Sequence, residues 1–403
     1  MSDILSPSMI LAHKIALDPT PEQSVYFARA CGVARFSYNW ALAEWQRQYK
    51  AGEKPSEGAL RKRLNALKRA EYPWMLEVTK AAPQQAIKNL GAAFKRFFDG
   101  KGKYPKFKKK GIHDSFRAEN GPETFTFDGK RIKLPVVGWV KMRETLRFPG
   151  KAKSVTVSRV ADRWFVSVTV KIEHQVPVRK NHAVCGVDLG VKALATVSDG
   201  SVHEGPKALR NSLKKLKRLS RALSRKAKGS ANHRKAKAKL ARLHARIANI
   251  RQDALHKLTT DLIRRFAVIG IEDLNVRGMM RNGNLARAIA DMGFFEFRRQ
   301  LAYKAAMCGS SIVVADRWHP SSKTCSNCGH VVPALPLSVR DWACPECGSV
   351  HDRDHNAARN LMNMAVSSTA TACGETGSDG RPAPVVKPAS MKQEPRHVTN
   401  VHA

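Results

Sequence analysis

The chain has 403 residues, of which 71 are Lys or Arg and 33 Asp or Glu, leaving a net charge of +38. Such an excess goes well beyond solubility and calls for a polyanion as partner; the basic residues run through nearly the whole chain rather than flanking one amphipathic anchor, which favours nucleic acid over a membrane surface. No apolar run reaches the roughly 18 to 20 residues that cross a bilayer, and Met1 to Ser8 lacks a positive region followed by an apolar stretch, so the expected location is cytoplasmic, or nuclear in a eukaryote.

In chain order, Met9 to Leu17 reads as a strand that stops at Asp18-Pro-Thr-Pro-Glu, itself a helix start. A helical region follows, with further helical segments from Glu57 to Ala70 and Lys80 to Phe98. Between Gly100 and Gly111 the chain is too basic and too broken by Pro and Gly to pack, and is expected to be a loop touching phosphates. From Thr124 to Glu173 the alternation Phe125/Phe127, Val155/Val157 and Val166/Val168/Val170 predicts antiparallel strands that rejoin the first strand in a barrel or sandwich.

A polar link, Pro177 to His182, leads into strands at Val184 to Asp188 and Leu194 to Ser198 and a short third one, a three-strand meander. Two basic helices come next, through Leu213, Leu216, Leu219 and Leu223, then through Leu240, Leu243, Ile247, Ile250, Ala254 and Leu258, broken near Gly229-Ser230. One apolar stripe on each predicts a helical hairpin with dense Lys and Arg on its other faces. A strand at Ala267 to Glu272, a helix at Phe294 to Met307 and a strand at Ser311 to Asp316 follow; after Ala365 the composition predicts a disordered tail.

Two sets of residues carry chemistry. Asp188, Glu272 and Asp354 each invite a metal reading, the first two because each ends an apolar strand, where an uncompensated acid is costly. Taken singly, Asp188 could cap a turn, Glu272 begin a loop and Asp354 cap a helix. Together they resemble the acidic cluster of two-metal phosphodiester hydrolysis, with Asp352 and Asp273 as competitors for the same positions. Cys325-x-x-Cys328 and Cys344-x-x-Cys347, each followed by Gly, have the spacing of two knuckles closing on one structural zinc. His319, His330 and His351 lie nearby and could be spare ligands, though solvent or nucleic-acid contacts are the expectation. Cys31, Cys185, Cys308 and Cys373 stand alone, as suits a reducing compartment.

Gly186-Val-Asp-Leu-Gly, Ile271-Glu-Asp-Leu-Asn, Ser321-Ser-Lys-Thr-Cys-Ser-Asn-Cys-Gly and the Asp352-Arg-Asp-His-Asn-Ala-Ala-Arg-Asn segment resemble the TnpB proteins of insertion-sequence transposons, relatives of the type V CRISPR effectors. Arg35-Phe-Ser-Tyr-Asn-Trp-Ala-Leu and Lys103-Tyr-Pro-Lys-Phe-Lys extend the similarity into the N-terminal half. The resemblance implies an α+β multidomain protein. Its RNase H-like (RuvC) nuclease core would comprise residues 183–318 and 349–366, interrupted by a zinc module at 319–348. A wedge β-barrel would comprise 1–20 and 121–182, with a helical recognition domain at 21–120, and 367–403 would be a disordered tail. It also implies Asp188, Glu272 and Asp354 as catalytic magnesium ligands, Asp354 being preferred to Asp352 because it lies two before Asn356. Implied with them are structural zinc on Cys325, Cys328, Cys344 and Cys347, a guide RNA from the transposon end, double-stranded target DNA beside a short transposon-adjacent motif, and a monomer. The alternatives are a small type V CRISPR effector and a non-cleaving RNA-guided DNA-binding regulator, the latter disfavoured because all three acids are present.

Overall fold

The computed structural model describes residues 8–119 and 125–374. The readings of the first seven residues, of the start of the β region at Thr124, and of the chain beyond residue 374 lie outside the described residues.

Strand β1 (Ser8–Asp18) leads into α1 (Pro21–Lys50), α2 (Glu57–Leu67) and α3 (Ala81–Phe98). Strands β2 (Ser115–Glu119), β3 (Thr126–Asp128), β4 (Arg131–Leu134), β5 (Gly138–Met142), β6 (Lys151–Val160) and β7 (Arg163–Glu173) follow. Next are β8 (Val184–Asp188), β9 (Ala195–Val197), β10 (Val202–His203), α4 (Ala208–Ser224) and α5 (Ala231–Arg265). The remainder is β11 (Val268–Ile271), α6 (Val276–Met279), α7 (Ala286–Met292), α8 (Phe294–Cys308), β12 (Ser311–Val314), β13 (Asp341–Ala343), β14 (Val350–Asp352) and α9 (Arg353–Gly374). Among the described residues no helix is long and apolar enough to cross a membrane. The described residues divide into two compact units, one drawn from 1–180, 204–264 and 276–310, the other from 181–203, 265–275 and 311–403.

In the first unit, helix α1 begins where the sequence signal lies: Thr20 and Gln23 exchange side-chain and backbone hydrogen bonds in a capping box, with Pro21 at the first helical position. The antiparallel sheet runs β2-β6-β7-β1-β5-β4-β3. Strand β1 joins its two parts, pairing with β7 through Ala16 and with β5 at Leu17 and Asp18. Alternation places Trp164, Val166, Val168 and Val170 of β7 inward, where Phe27 of α1 meets Trp164 with ring centroids 5.3 Å apart. Helices α4 and α5 form the expected hairpin, Leu216 and Leu219 packing with Leu243 and Ile247. Ile250, placed on the stripe by spacing, is instead exposed. The hairpin is anchored by buried Asp291 of α7, which accepts hydrogen bonds from the backbone N–H groups of Leu209 and Arg210 at the start of α4 and pairs with Arg251 of α5 at 2.8 Å.

In the second unit, five strands run β10-β9-β8-β11-β12. The first three form the predicted meander, whereas β8, β11 and β12 are parallel. Helix α9 lies across β8 and β11, burying Ala357, Ala358, Leu361 and Ala365. Two glycines make this possible. A Cβ on Gly186 would stand 1.9 Å from the Ala358 carbonyl oxygen, and one on Gly270 would stand 2.3 Å from that of Leu361. Both positions meet backbone, which cannot step aside as a flexible side chain can.

Helix α9 continues to Gly374, past Ala365 where composition predicted order to end. The hydroxyls of Ser367, Ser368 and Thr369 bond back to the carbonyls of Asn363, Met364 and Ala365, so these small polar residues are satisfied within the helix.

Candidate active site and metal centre

Asp188 ends β8 and Glu272 directly follows β11, its parallel neighbour, so the two acids sit side by side at the C-terminal ends of adjacent strands. Asp354 enters from the first turn of α9. The side chains interact: burial holds Asp188 well above the usual carboxylate range, the negative charges of Glu272 and then Asp354 push it further, and Arg353 and Arg340 only partly oppose them. Arg340 donates to Asp354 at 3.0 Å, and the Ser321 hydroxyl donates to Glu272. This is a partly buried carboxylate crowded by two others, with cationic and hydroxyl groups steadying the neighbours.

The rival acids have other occupations. Asp352 precedes α9 and accepts a hydrogen bond from the His355 backbone N–H at 2.8 Å, the bond of an N-cap. Asp273 is paired with Arg317 at 2.8 Å. Arg353 reaches away from Asp352, donating to the Pro336 carbonyl at 2.7 Å.

The four cysteines meet. Their sulfurs all lie within 4.8 Å of one another, with Cys325 and Cys347 at 3.7 Å and Cys328 and Cys344 at 3.6 Å. Those separations exceed a disulfide's roughly 2.05 Å and match the about 3.8 Å between thiolates placed tetrahedrally around an ion at about 2.3 Å. Each pair sits in the same turn: Gly329 N–H donates to the Cys325 carbonyl and Gly348 N–H to that of Cys344, both at 2.9 Å. The two glycines have φ of 82° and 71°, a conformation costly for other residues. Among the described residues this is the one group of three or more metal-ligating side chains so tightly gathered; the three acids are spread more widely.

His351 departs from expectation. It is buried rather than solvated, its Nε2 lies 3.0 Å from the Cys325 sulfur, and its ring leans on Trp342. Asn356 and Asn360, one turn apart on α9, were missed from sequence. Asn356 accepts from the Ser326 N–H and donates to the Thr324 carbonyl, and Asn360 donates to the Ser321 and Thr324 carbonyls. Both are buried. They bind the first cysteine turn to the helix that carries Asp354, and Ser321 extends the chain of bonds to Glu272. Two Asn at a spacing of four on the apolar face of a helix was the available signal; for Arg340 there was none.

The lone cysteines Cys31 and Cys185 are buried, which pushes each thiol up to about 12, too high for a reactive thiolate.

Basic side chains are exposed on α4 (Lys214, Lys217, Arg218, Arg221) and in the loop before β2 (Lys106, Lys109, Lys110). Lys108 differs. Although the residue as a whole is exposed, its ammonium lies 4.1 Å from the Tyr38 ring, local desolvation lowers its pKa, and its backbone exchanges hydrogen bonds with the Asn39 side chain. Replacing Lys106, Lys109 and Lys110 by Gln is therefore expected to lower the salt dependence of non-specific nucleic-acid binding by about 2 to 3 in log–log slope, at roughly 0.7 to 0.9 per lost phosphate contact. Titrations between low and moderate salt check this; an unchanged slope would place the loop in solvent.

Models of the IS605 OrfB family match twice, one described as "Probable transposase" over residues 167–283 and one as "Helix-turn-helix domain" over 9–54. The latter segment folds here as β1 and the single 30-residue helix α1. A third model, "Cas12f1-like, TNB domain", matches residues 294–361. A "Putative RNA-guided DNA endonuclease" of Streptomyces pristinaespiralis is 40% identical over 96% of this chain and 97% of that protein. A protein of the same description from Escherichia coli K12 is 36% identical over 97% and 99%. A solved structure, the "Cas12f1-sgRNA-target DNA complex", shares the fold with a TM-score of 0.56 at 14% identity over 85% of this chain and 83% of that one. With matches of this extent added to the paired cysteine turns and the acids at the strand ends and helix start, the chain belongs to the IS605 OrfB family, the TnpB proteins of insertion-sequence transposons.

Proposed function

We propose that this protein is an RNA-guided DNA endonuclease of a transposable element, cutting DNA beside a short transposon-adjacent motif by magnesium-dependent hydrolysis at an RNase H-like (RuvC) centre formed by Asp188, Glu272 and Asp354. The observation that carries the reading is the placement of the acids: Asp188 and Glu272 follow the paired residues Val187 and Ile271 of two parallel strands, and Asp354 comes from the first turn of the helix packed on them, close enough that both neighbours push the Asp188 pKa up. A partly buried carboxylate crowded by two more is unfavourable in isolation and suited to divalent cations. The donor set fits magnesium, because carboxylate oxygens are hard ligands whose mutual repulsion a cation relieves. When bound there, magnesium supplies an activated water and stabilises the leaving oxygen.

The chain's own residues do the rest. Ser321 orients Glu272, Arg340 holds Asp354, and Asp352 caps the helix whose first turn carries Asp354 within reach of the Asp188 charge. The cysteine set fits zinc as a structural ion, four thiolates leaving no open position. On this reading the chain would comprise a wedge β-barrel (1–20 and 121–182) with a helical recognition domain (21–120), a nuclease core (183–318 and 349–366) and a zinc module (319–348), although 204–264 and 276–310 cluster with the first compact unit rather than with the acid-bearing one. The basic surface carries guide RNA and target DNA by their backbones, while base pairing supplies sequence.

The test is to purify the protein with its RNA, sequence that RNA, and assay cutting of a matching DNA with magnesium. Asp354→Ala is expected to abolish cutting and keep target binding, whereas Asp352→Ala, which loses only a helix cap of about 1 kcal/mol, retains more activity. Equal activity of the two variants, or purification without a discrete RNA, overturns the reading.

A further inference from the structure

We infer that Trp318 is a stacking platform for an unpaired nucleobase of the DNA strand entering the acid centre, an inference that rests on the nuclease reading above. After β12 the chain is pinned to the acid-bearing segment at three points. Ala315 N–H donates to the Ile271 carbonyl at 2.8 Å, Arg317 to Asp273 at 2.8 Å, and the Ser321 hydroxyl to Glu272. Trp318 lies between the second and third. The turn is also tied within itself: Trp318 N–H donates to the Asp316 carboxylate at 2.9 Å, His319 N–H to the Asp316 carbonyl at 3.0 Å, and Ser321 N–H to the His319 carbonyl at 2.8 Å.

On this braced turn the indole is 85% exposed, more than any other aromatic side chain among the described residues. No ring stacks on it and no cation covers it among those residues, whereas Trp45, Trp164 and Trp342 each have ring partners. A large apolar ring left in water gains nothing for folding, yet its backbone is held beside Glu272.

Chemistry selects the occupant. The three acids repel a strand's phosphates unless cations bridge them, but a base presents a neutral π-face that an indole binds regardless of base identity. Bases in a duplex are already stacked on their neighbours, so the one that meets Trp318 is unpaired, and seating it fixes the position of the backbone relative to the acids. Such platforms contribute about ten- to a hundredfold on alanine replacement.

The experiment uses the full chain loaded with its guide RNA. Target DNA is offered intact and with single abasic sites stepped along the cut strand, to wild type, Trp318→Phe, Trp318→Leu and Trp318→Ala. Leu and Ala are expected to slow cutting about tenfold, with Phe close to wild type and guide binding unchanged in all. One abasic position should slow the wild type by the same factor and leave Trp318→Ala no slower. Wild-type cutting by Trp318→Ala, an equal defect in Trp318→Phe, or additive abasic effects at every position overturns the platform; those outcomes would leave Trp318 to a protein partner or to no partner. A second readout separates this inference from the nuclease reading: a single-stranded oligonucleotide carrying 2-aminopurine should lose fluorescence on the wild type and not on Trp318→Ala. Trp318-dependent quenching in a wild type that cuts no DNA sinks the nuclease reading and keeps the platform, and no quenching at all sinks the platform.

Discussion

Asp188→Asn is expected to abolish DNA cutting, by roughly 10³-fold or more since several kcal/mol of transition-state stabilisation depend on ions held there, and at the same time to raise the thermal stability of the metal-free protein. The two effects share a cause. Burial and the charges of Glu272 and Asp354 lift the Asp188 pKa above its unfolded value, so the folded state binds that proton more tightly than the unfolded chain does. Folding stability therefore falls as pH rises from the unfolded pKa to the raised folded one, and stays reduced above it. A neutral isostere removes the penalty across that higher range, giving a melting temperature a few degrees up near neutral pH and no gain at pH values below the unfolded pKa. Magnesium should reverse the order: a cation that binds the folded acids raises the wild-type melting temperature and leaves the Asn variant nearly unmoved. Melting curves at two pH values, with magnesium and with chelator, check both signs. Cutting by Asp188→Asn sinks the assignment; a lower melting temperature for the variant at every pH would make Asp188 a structural acid.

Removing the metal from the cysteine set, by chelation or by Cys344→Ser, is expected to unfold the module around it and to cripple cutting while guide RNA binding stays within about twofold. The small core there consists of Val332, Trp342, Cys325 and Cys344, with Leu335 and Val339 partly buried against it, too little apolar surface to fold alone. In comparable sites the ion supplies on the order of 10 kcal/mol. Loss should spread to the acids because Asn356 and Asn360 grip the first cysteine turn and Ser321 links it to Glu272. Limited proteolysis should then cleave within residues 319–348, and metal analysis of the intact protein should find one zinc per chain. Protein without zinc, together with normal cutting by Cys344→Ser, overturns the four-thiolate site.

The local features were legible where a local cause produced them. The capping box at Thr20, the alternation in β7, the break at Gly229 between α4 and α5, and the paired cysteine turns are each written within a few adjacent residues, because hydrogen bonds to the next turn, side-chain period and φ sign are near-neighbour physics. The end of order at Ala365 was misjudged for the same reason in reverse: small polar residues suggest coil, but Ser367, Ser368 and Thr369 satisfy themselves along the helix.

By itself, the sequence determined that this is a basic nucleic-acid protein with three acids near strand or helix ends and four cysteines at metal spacing. Tertiary structure alone decided which acids face one another. Asp352 and Asp354 differ by two residues, yet at the helix start one caps the His355 N–H and the other lies within reach of the Asp188 charge. Nor could the strings Cys185-Gly-Val and Ile269-Gly-Ile reveal that Gly186 and Gly270 let α9 rest its backbone on the sheet, or that Ser321, Asn356 and Asn360 join cysteine turn to carboxylate. These are contacts between segments tens to more than a hundred residues apart, and their energies depend on distances that no local pattern encodes.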